Sequence, residues 1–125
     1  MQIIIIGAGE VGSSIAESLA DGHQVTIADI DPDRADALTF ELDVLAIEGD
    51  GASVSTLEEA GIREADLLMA CTDDAETNIV SCGTAKTLND MLTIARVRNT
   101  KYLDTWNNAE GALGVDVMVG TVTLT

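Results

Sequence analysis

Residues 2–12 read Gln-Ile-Ile-Ile-Ile-Gly-Ala-Gly-Glu-Val-Gly. Four consecutive isoleucines form a short, unbroken, β-branched run, the mark of a strand buried on both faces. Gly7, Gly9 and Gly12 fit G-x-G-x-x-G, and beyond them Val11, Ile15 and Leu19 share one face of a helix expected over 10–20. A strand that breaks into glycine and resumes as a helix is the first half of a βαβ unit. Gly7 permits the tight turn, Gly9 lets backbone approach a pyrophosphate, and Gly12 lets helix and strand pack closely. The helix N-terminus then offers free N–H groups and a positive dipole to phosphate.

The same alternation continues outward. Asp21-Gly22 marks a turn, and 24–28 reads as the second strand, closing on Asp29. Asp29 lies 22 residues after Gly7, near the spacing of about 20 at which an acid meets the ribose hydroxyls of an adenosine. Asp31-Pro32 opens a helix to about Leu42, with Asp as N-cap and Pro at the first helical position. Further strands are expected at 44–48, 66–71, 92–97 and 115–119. The helices between them start after Ser53 and end at Gly61, or span 74–88 and 101–110. Six strands alternating with five helices predict an α/β protein, a Rossmann-like, doubly wound parallel sheet in the order 3-2-1-4-5-6.

Composition narrows the function. The 125 residues make one domain. Twenty-two Asp and Glu against six Lys and Arg give a net charge of −16. Nucleic-acid binding needs basic charge to displace counterions, so it is excluded, and an anionic membrane surface repels this chain. The only aromatic residues are Phe40, Tyr102 and Trp106, so the core must be aliphatic. Excess acid with two lysines suits a salty cytoplasm, where screening is short-ranged. The opening apolar run is too short for a signal peptide or a membrane span. Cys71 and Cys82, eleven apart, read as reduced thiols.

Ligand-facing residues are expected at the carboxyl ends of the strands. Gly49-Asp50-Gly51 follows the third strand, with Asp50 able to bond an adenine amino group or simply to form the turn. Thr72 and Asp73 follow the fourth, where they line a crevice and can cap the next helix. Arg96 ends the fifth, placed to meet a phosphate or to pair with an acid, and Arg98 lies further out. No catalytic set is recognisable. His23 falls at the opposite end of the sheet, Cys71 has no histidine partner, and Asp73, Asp74 and Glu76 are not expected to hold a metal.

Taken together, IIIIGAGEVG, Asp29, EGDGAS at 48–53, LEEAGI at 57–62, CTDDAETNIV at 71–80 and ARVRN at 95–99 resemble the RCK, or KTN, domain family, the class of the TrkA N-terminal domain. The resemblance runs from Met1 to about Val119, and its T-D-D-x-E-T-N and A-R-V-R stretches are its specific parts. It implies a Rossmann domain that binds NAD(H), or in some members ATP or ADP, through positions matching Gly7, Ala8, Gly9, Glu10, Val11, Gly12, Asp29, Asp50, Thr72, Asp73 and Arg96. Where the family has G-D-A-T, this chain has Gly49-Asp50-Gly51-Ala52, so the threonine hydroxyl is missing. Family members continue into a C-terminal ligand domain; the 125 residues are expected to hold the N-terminal domain alone, as either a fragment or a short homologue. The resemblance further implies a non-enzymatic, cytoplasmic regulator of a membrane potassium-uptake transporter, held peripheral to the membrane by that partner. Met1 begins the first strand almost at once, which reads as a separate soluble subunit.

Two other functions fit a Rossmann unit. One is the cofactor half of an NAD-dependent oxidoreductase, which needs acid–base groups and a substrate domain. The other is a redox-sensing module for a different partner. Ile79, Val80, Tyr102, Leu103 and Trp106 are expected to supply a homodimer or larger assembly with apolar contacts. The charge itself has a testable consequence. Lowering salt lengthens the Debye distance to about 10 Å at 0.1 M and lets the carboxylates repel. Molar KCl is therefore expected to raise the melting temperature, and a melting point unchanged between 0.1 and 3 M contradicts the reading.

Overall fold

The computed structural model describes residues 1–98, 100–109 and 112–120. The chain runs β1 (Gln2–Ile6), α1 (Glu10–Leu19), β2 (Gln24–Asp29), α2 (Pro32–Glu41), β3 (Leu45–Glu48), α3 (Val54–Glu59), β4 (Leu67–Ala70), α4 (Ala75–Leu88), β5 (Leu92–Val97), α5 (Thr100–Asn108) and β6 (Val117–Gly120). Short 3-10 turns stand at Ile62–Glu64 and Ala112–Gly114. All strand pairings are parallel and the order is β3-β2-β1-β4-β5-β6, as the alternation predicts.

The isoleucine run explains the centre of the sheet. Side chains alternate across a strand. Ile4 and Ile6 join Leu68, Ala70 and Ala95 beneath α3, α4 and α5, while Ile3 and Ile5 join Val25 and Ile27 beneath α1 and α2. All four isoleucines are almost fully buried, each contributing about 1.5–3 kcal/mol by leaving water. Both thiols are free and buried, which pushes Cys71 up to about 11 and Cys82 up to about 12.

Local signals decide the helix ends. Asp31 caps α2 by accepting from the Asp33 N–H at 2.9 Å. Ser53 stands at the N-cap of α3 but makes no cap bond, and its hydroxyl meets the Ser55 hydroxyl at 3.0 Å. The cap of α4 is Asp74, which accepts from the Thr77 N–H at 3.3 Å, so neither Thr72 nor Asp73 plays that part. Trp106 on α5 is half-buried, packs against the core and donates its indole N–H to the Val115 carbonyl at 2.8 Å. That bond makes it the anchor of α5 rather than a free interface residue. The expected end of this helix at Glu110 lies outside the described residues.

β6 begins two residues later than expected because Asp116 replaces a strand partner. Its carboxylate accepts the Thr93 N–H at 2.9 Å and meets Lys86 Nζ at 2.6 Å. Burial pushes the Asp116 carboxyl up, but the Lys86 and Thr93 bonds outweigh it and hold the group below its ordinary value. A carboxyl lowered in the folded state stabilises above its unfolded value of about 4 and loses that contribution as pH falls through the folded value. The melting-temperature gap between wild type and Asp116→Asn is expected to be present at pH 7 and to close below about pH 4. A gap unchanged across that range contradicts the assignment.

The approach of α1 to β1 rests on Gly12. A Cβ there would overlap the Gly7 carbonyl, which no side-chain rearrangement relieves. Gly12→Ala is therefore expected to destabilise the fold by about 1–3 kcal/mol, read by thermal denaturation. A variant as stable as wild type would show that the backbone yields there.

Candidate functional site

The carboxyl ends of β1, β2, β4 and β5 open on a cleft of about 610 Å³. It lies where α1 and α4 depart to opposite faces, the switch point at which open α/β sheets take ligands. Its size falls in the range of about 300–1,000 Å³ usual for small-molecule sites. Gly7, Gly9, Glu10, Val11, Asp29, Asp50, Thr72, Asp73 and Arg96 line it. Ala8 and Gly12, also expected there, do not: Ala8 is buried, and Gly12 packs beneath the Gly7 carbonyl.

The glycine loop is tied down from two sides. Gly7 adopts φ +104° and donates its N–H to Ala28 at 2.7 Å, and the Ala8 N–H donates to Asp29 Oδ2 at 2.6 Å. The other Asp29 oxygen accepts from the Asp31 N–H at 2.8 Å. Asp29 is 7% exposed and lines the cleft while it braces the loop. A carboxylate has about four acceptor sites, so those left over remain for hydroxyl donors.

Gly9 is different. A Cβ there would meet nothing closer than the Arg34 guanidinium, at 3.6 Å. The fold does not demand glycine at this position, and the space above it belongs to the cleft. Gly9 is the N-cap of α1 and makes no side-chain cap bond, whereas α2 and α4 are capped by their own aspartates. The first-turn N–H groups of α1 have no carbonyl behind them in the helix. They form an uncapped, electropositive terminus facing the cleft.

The far wall carries two arginines beside Asp73 and Asp74. Arg96 is 12% exposed, and its Nε is buried without a hydrogen-bond partner. Its Nη1 lies 3.3 Å from Asp73 Oδ1, and Arg98 Nη2 reaches the same oxygen at 2.9 Å. Of the two roles expected of Arg96, the ion pair with an acid is present, and the side chain also lines the cleft. Asp50 forms its turn, accepting from the Ala52 N–H at 2.9 Å, at the rim. Thr72 lines the cleft through its loop, but its polar atoms are engaged inward: the N–H and hydroxyl lie 2.9 and 2.7 Å from Asn78 Oδ1. His23 stands at the other end of the sheet, with Nδ1 3.5 Å from the terminal amine.

Several lining residues escaped the sequence reading, Arg34, Ile30, Thr77 and Arg98 among them. Arg34 faces the glycine loop from α2, with Nη1 3.9 Å from Asp29 Oδ2. Ile30, well exposed, follows Asp29 at the rim. Arg98 reaches the cleft that the sequence placed it beyond. Of the chain's six Lys and Arg, Arg34, Arg96 and Arg98 line this one cleft. Glu10, Asp29, Asp50, Asp73 and Asp74 line it as well, so the arginines stand among carboxylates. The described residues include no group of three or more His, Cys, Asp or Glu arranged to hold a metal ion, and no helix long and apolar enough to cross a membrane.

Comparison with known proteins agrees with this architecture. The family model for the TrkA-N domain matches residues 3–121. A Methanosarcina mazei protein named Trk system potassium uptake protein trkA homolog 1 is 44% identical over 95% of this chain, which spans 30% of that relative's length. The TrkA-N domain of the Escherichia coli inner membrane protein ybaL superposes with a TM-score of 0.83 at 21% identity, covering 95% of this chain and 86% of that one. The GsuK channel bound to NAD gives a TM-score of 0.78 at 18% identity over 94% of this chain and 21% of the channel chain. With the family model matched along almost its whole length, the chain belongs to the TrkA-N domain family.

Proposed function

We propose that the cleft binds NAD(H), with ATP or ADP as alternatives that share the adenosine, and that occupancy regulates a membrane potassium-uptake transporter from the cytoplasmic side. The observation that carries this is the uncapped first turn of α1, open above Gly9, with buried Asp29 on one side and Arg96 on the other. The first-turn N–H groups would hold a pyrophosphate, Asp29 the adenosine ribose hydroxyls, and Arg96 a further phosphate or the ligand's distal half. A bound nicotinamide carries a hydride in one redox state and not in the other, which makes the ligand a reporter of redox state.

Regulation rather than catalysis is supported by the groups present. Among the described residues the cleft lining holds no histidine, and its thiol, Cys71, is pushed up to about 11 by burial. The relative's name, a potassium uptake protein, supplies the transporter. A regulator needs ligands that discriminate between two states of an assembly, and a tenfold switch requires only about 1.4 kcal/mol of differential binding. One charge-assisted phosphate bond from Arg96, about 1.5–3 kcal/mol, is enough. Assembly with a second copy would use the α4–α5 side, where Val80 is half exposed.

Titration calorimetry in molar KCl tests the reading. NAD is expected to bind more tightly than NADP, because Asp29 repels a 2′-phosphate. Arg96→Ala should weaken NAD roughly ten- to hundred-fold without unfolding the chain. Gly9→Ala should abolish binding while leaving the melting temperature in place, since its Cβ meets only a flexible arginine. Scattering should give a mass above the monomer. Absence of binding to every one of these nucleotides, tighter NADP than NAD, or steady NADH oxidation with a small substrate would each overturn the proposal.

A further inference from the structure

Asn78 is fully buried in the first half of α4, yet every hydrogen-bonding capacity of its side chain is used. Oδ1 accepts from the Thr72 N–H at 2.9 Å and lies 2.7 Å from the Thr72 hydroxyl. Nδ2 donates to the Thr72 carbonyl at 3.0 Å and to the Arg96 carbonyl at 2.7 Å. The orientation of the amide is fixed by its partners, since a backbone N–H can only donate and a carbonyl can only accept. One side chain therefore joins three elements: the loop after β4, the end of β5 and the helix between them.

Those two strand ends carry the wall with the two arginines. Thr72 precedes Asp73, and Arg96 and Arg98 both reach the same Asp73 oxygen. The spacing between the Asp73 loop and the Arg96 backbone is set beneath the cleft surface by Asn78. β4 and β5 do pair in the ladder, but that pairing ends at Ala70 and Ala95, before either functional residue. Beyond it, Asn78 bonds the backbone of both strand ends at once, while Arg96 Nη1 adds longer bonds to the Cys71 and Thr72 carbonyls at 3.5 and 3.4 Å. No hydrophobic residue of similar size could do this, because it would leave the Arg96 carbonyl and the Thr72 N–H without the partners Asn78 gives them, and the Thr72 carbonyl with only Arg96 Nη1 at 3.4 Å.

We infer that Asn78 is a positioning residue for the anionic ligand of this cleft: it holds the Thr72–Asp73 loop and the Arg96 backbone in the register at which Arg96 meets the ligand. The inference rests on the reading of the cleft as a nucleotide site and adds to it a residue that touches no ligand. It also makes α4 the element that feels occupancy of the cleft, because any shift of Asp73 or Arg96 is one hydrogen bond from the helix. At its other end α4 is fastened through Lys86 to Met91 and Asp116. A disturbance at Asn78 is thus delivered to a helix held at both ends.

The test uses Asn78→Asp, which keeps shape and exchanges the donor Nδ2 for an oxygen. When ionised, that oxygen faces the Thr72 and Arg96 carbonyls with no proton to share. When protonated, it restores one of the two donor bonds. Buried carboxyls protonate more readily than exposed ones, so the change falls in an accessible pH range. NAD titrations in molar KCl at pH 8 and pH 5.5 are each referred to wild type at the same pH. Asp73, Asp74, Cys71, Arg96 and Arg98, the titratable and charged groups around this loop, are common to both chains.

The expected result is binding at least about tenfold weaker than wild type at pH 8, recovering toward wild type at pH 5.5. Asn78→Ala should lose binding at both. A folded Asn78→Asp chain that binds like wild type at pH 8, or a loss that does not recover at pH 5.5, overturns the role of Asn78. Should the variants fail to fold, wild type alone decides: the Asn78 side-chain amide proton resonances should shift on NAD addition, and resonances that stay in place at saturation overturn it. If wild type binds no NAD, NADH, ADP or ATP, the nucleotide reading itself fails and the role of Asn78 falls with it. Wild-type binding indifferent to Asn78 removes only the latter.

Discussion

The carboxylate of Asp29 organises this site before any ligand arrives. It closes β2, is almost fully buried, and accepts backbone N–H groups from Ala8 on one side and Asp31 on the other. Burying a carboxylate is costly unless it is well bonded, and two short backbone bonds meet that need. In return, Asp29 fixes the glycine loop against β2 and orients the start of α2. Gly7 can then turn at positive φ, Gly12 can slide under the Gly7 carbonyl, and α1 leaves the sheet with its first turn facing open space. Remove that carboxylate and the loop and the helix entry lose their common acceptor.

The rest of the cleft follows from strand order. With β1 and β4 adjacent and their helices departing to opposite faces, a crevice at their carboxyl ends is unavoidable. What varies is the chemistry on its walls. Here one wall is backbone and uncapped helix, and the other is a pair of arginines converging on one aspartate. The acidic chain makes that contrast informative. Three of the six cations gather in one cleft, each within ion-pair distance of one of its carboxylates. Asp73 partly neutralises two of them.

Much of this could be read in the sequence, and the reasons for the exceptions are specific. The isoleucine run, the glycine spacing and the Asp31-Pro32 cap are local signals, and local signals survive without a fold. Asn78 carries none, because in a list of helix residues a buried asparagine looks like a solvated one. Its signal was positional: Asn78, Cys82 and Ala85 fall four and three residues apart, on the buried stripe of α4, where a polar residue needs explaining. Arg34 was missed because its helix was read only for its Asp31-Pro32 start and its end, while its first turn borders the cleft. The late start of β6 reflects a side chain, Asp116, taking a bond that strand pairing would otherwise make, and no periodicity records that.

The central claim is that an adenine nucleotide occupies the strand-end cleft. Backbone amide shifts of the labelled chain during NAD addition in molar KCl test it most directly, because they report both binding and place. The account predicts saturable shifts concentrated at Gly7, Gly9, Glu10 and Val11, with smaller ones at Asp29, Asp73 and Arg96. No saturable shift, or shifts gathered at the opposite end of the sheet around His23 and Asp66, would contradict it.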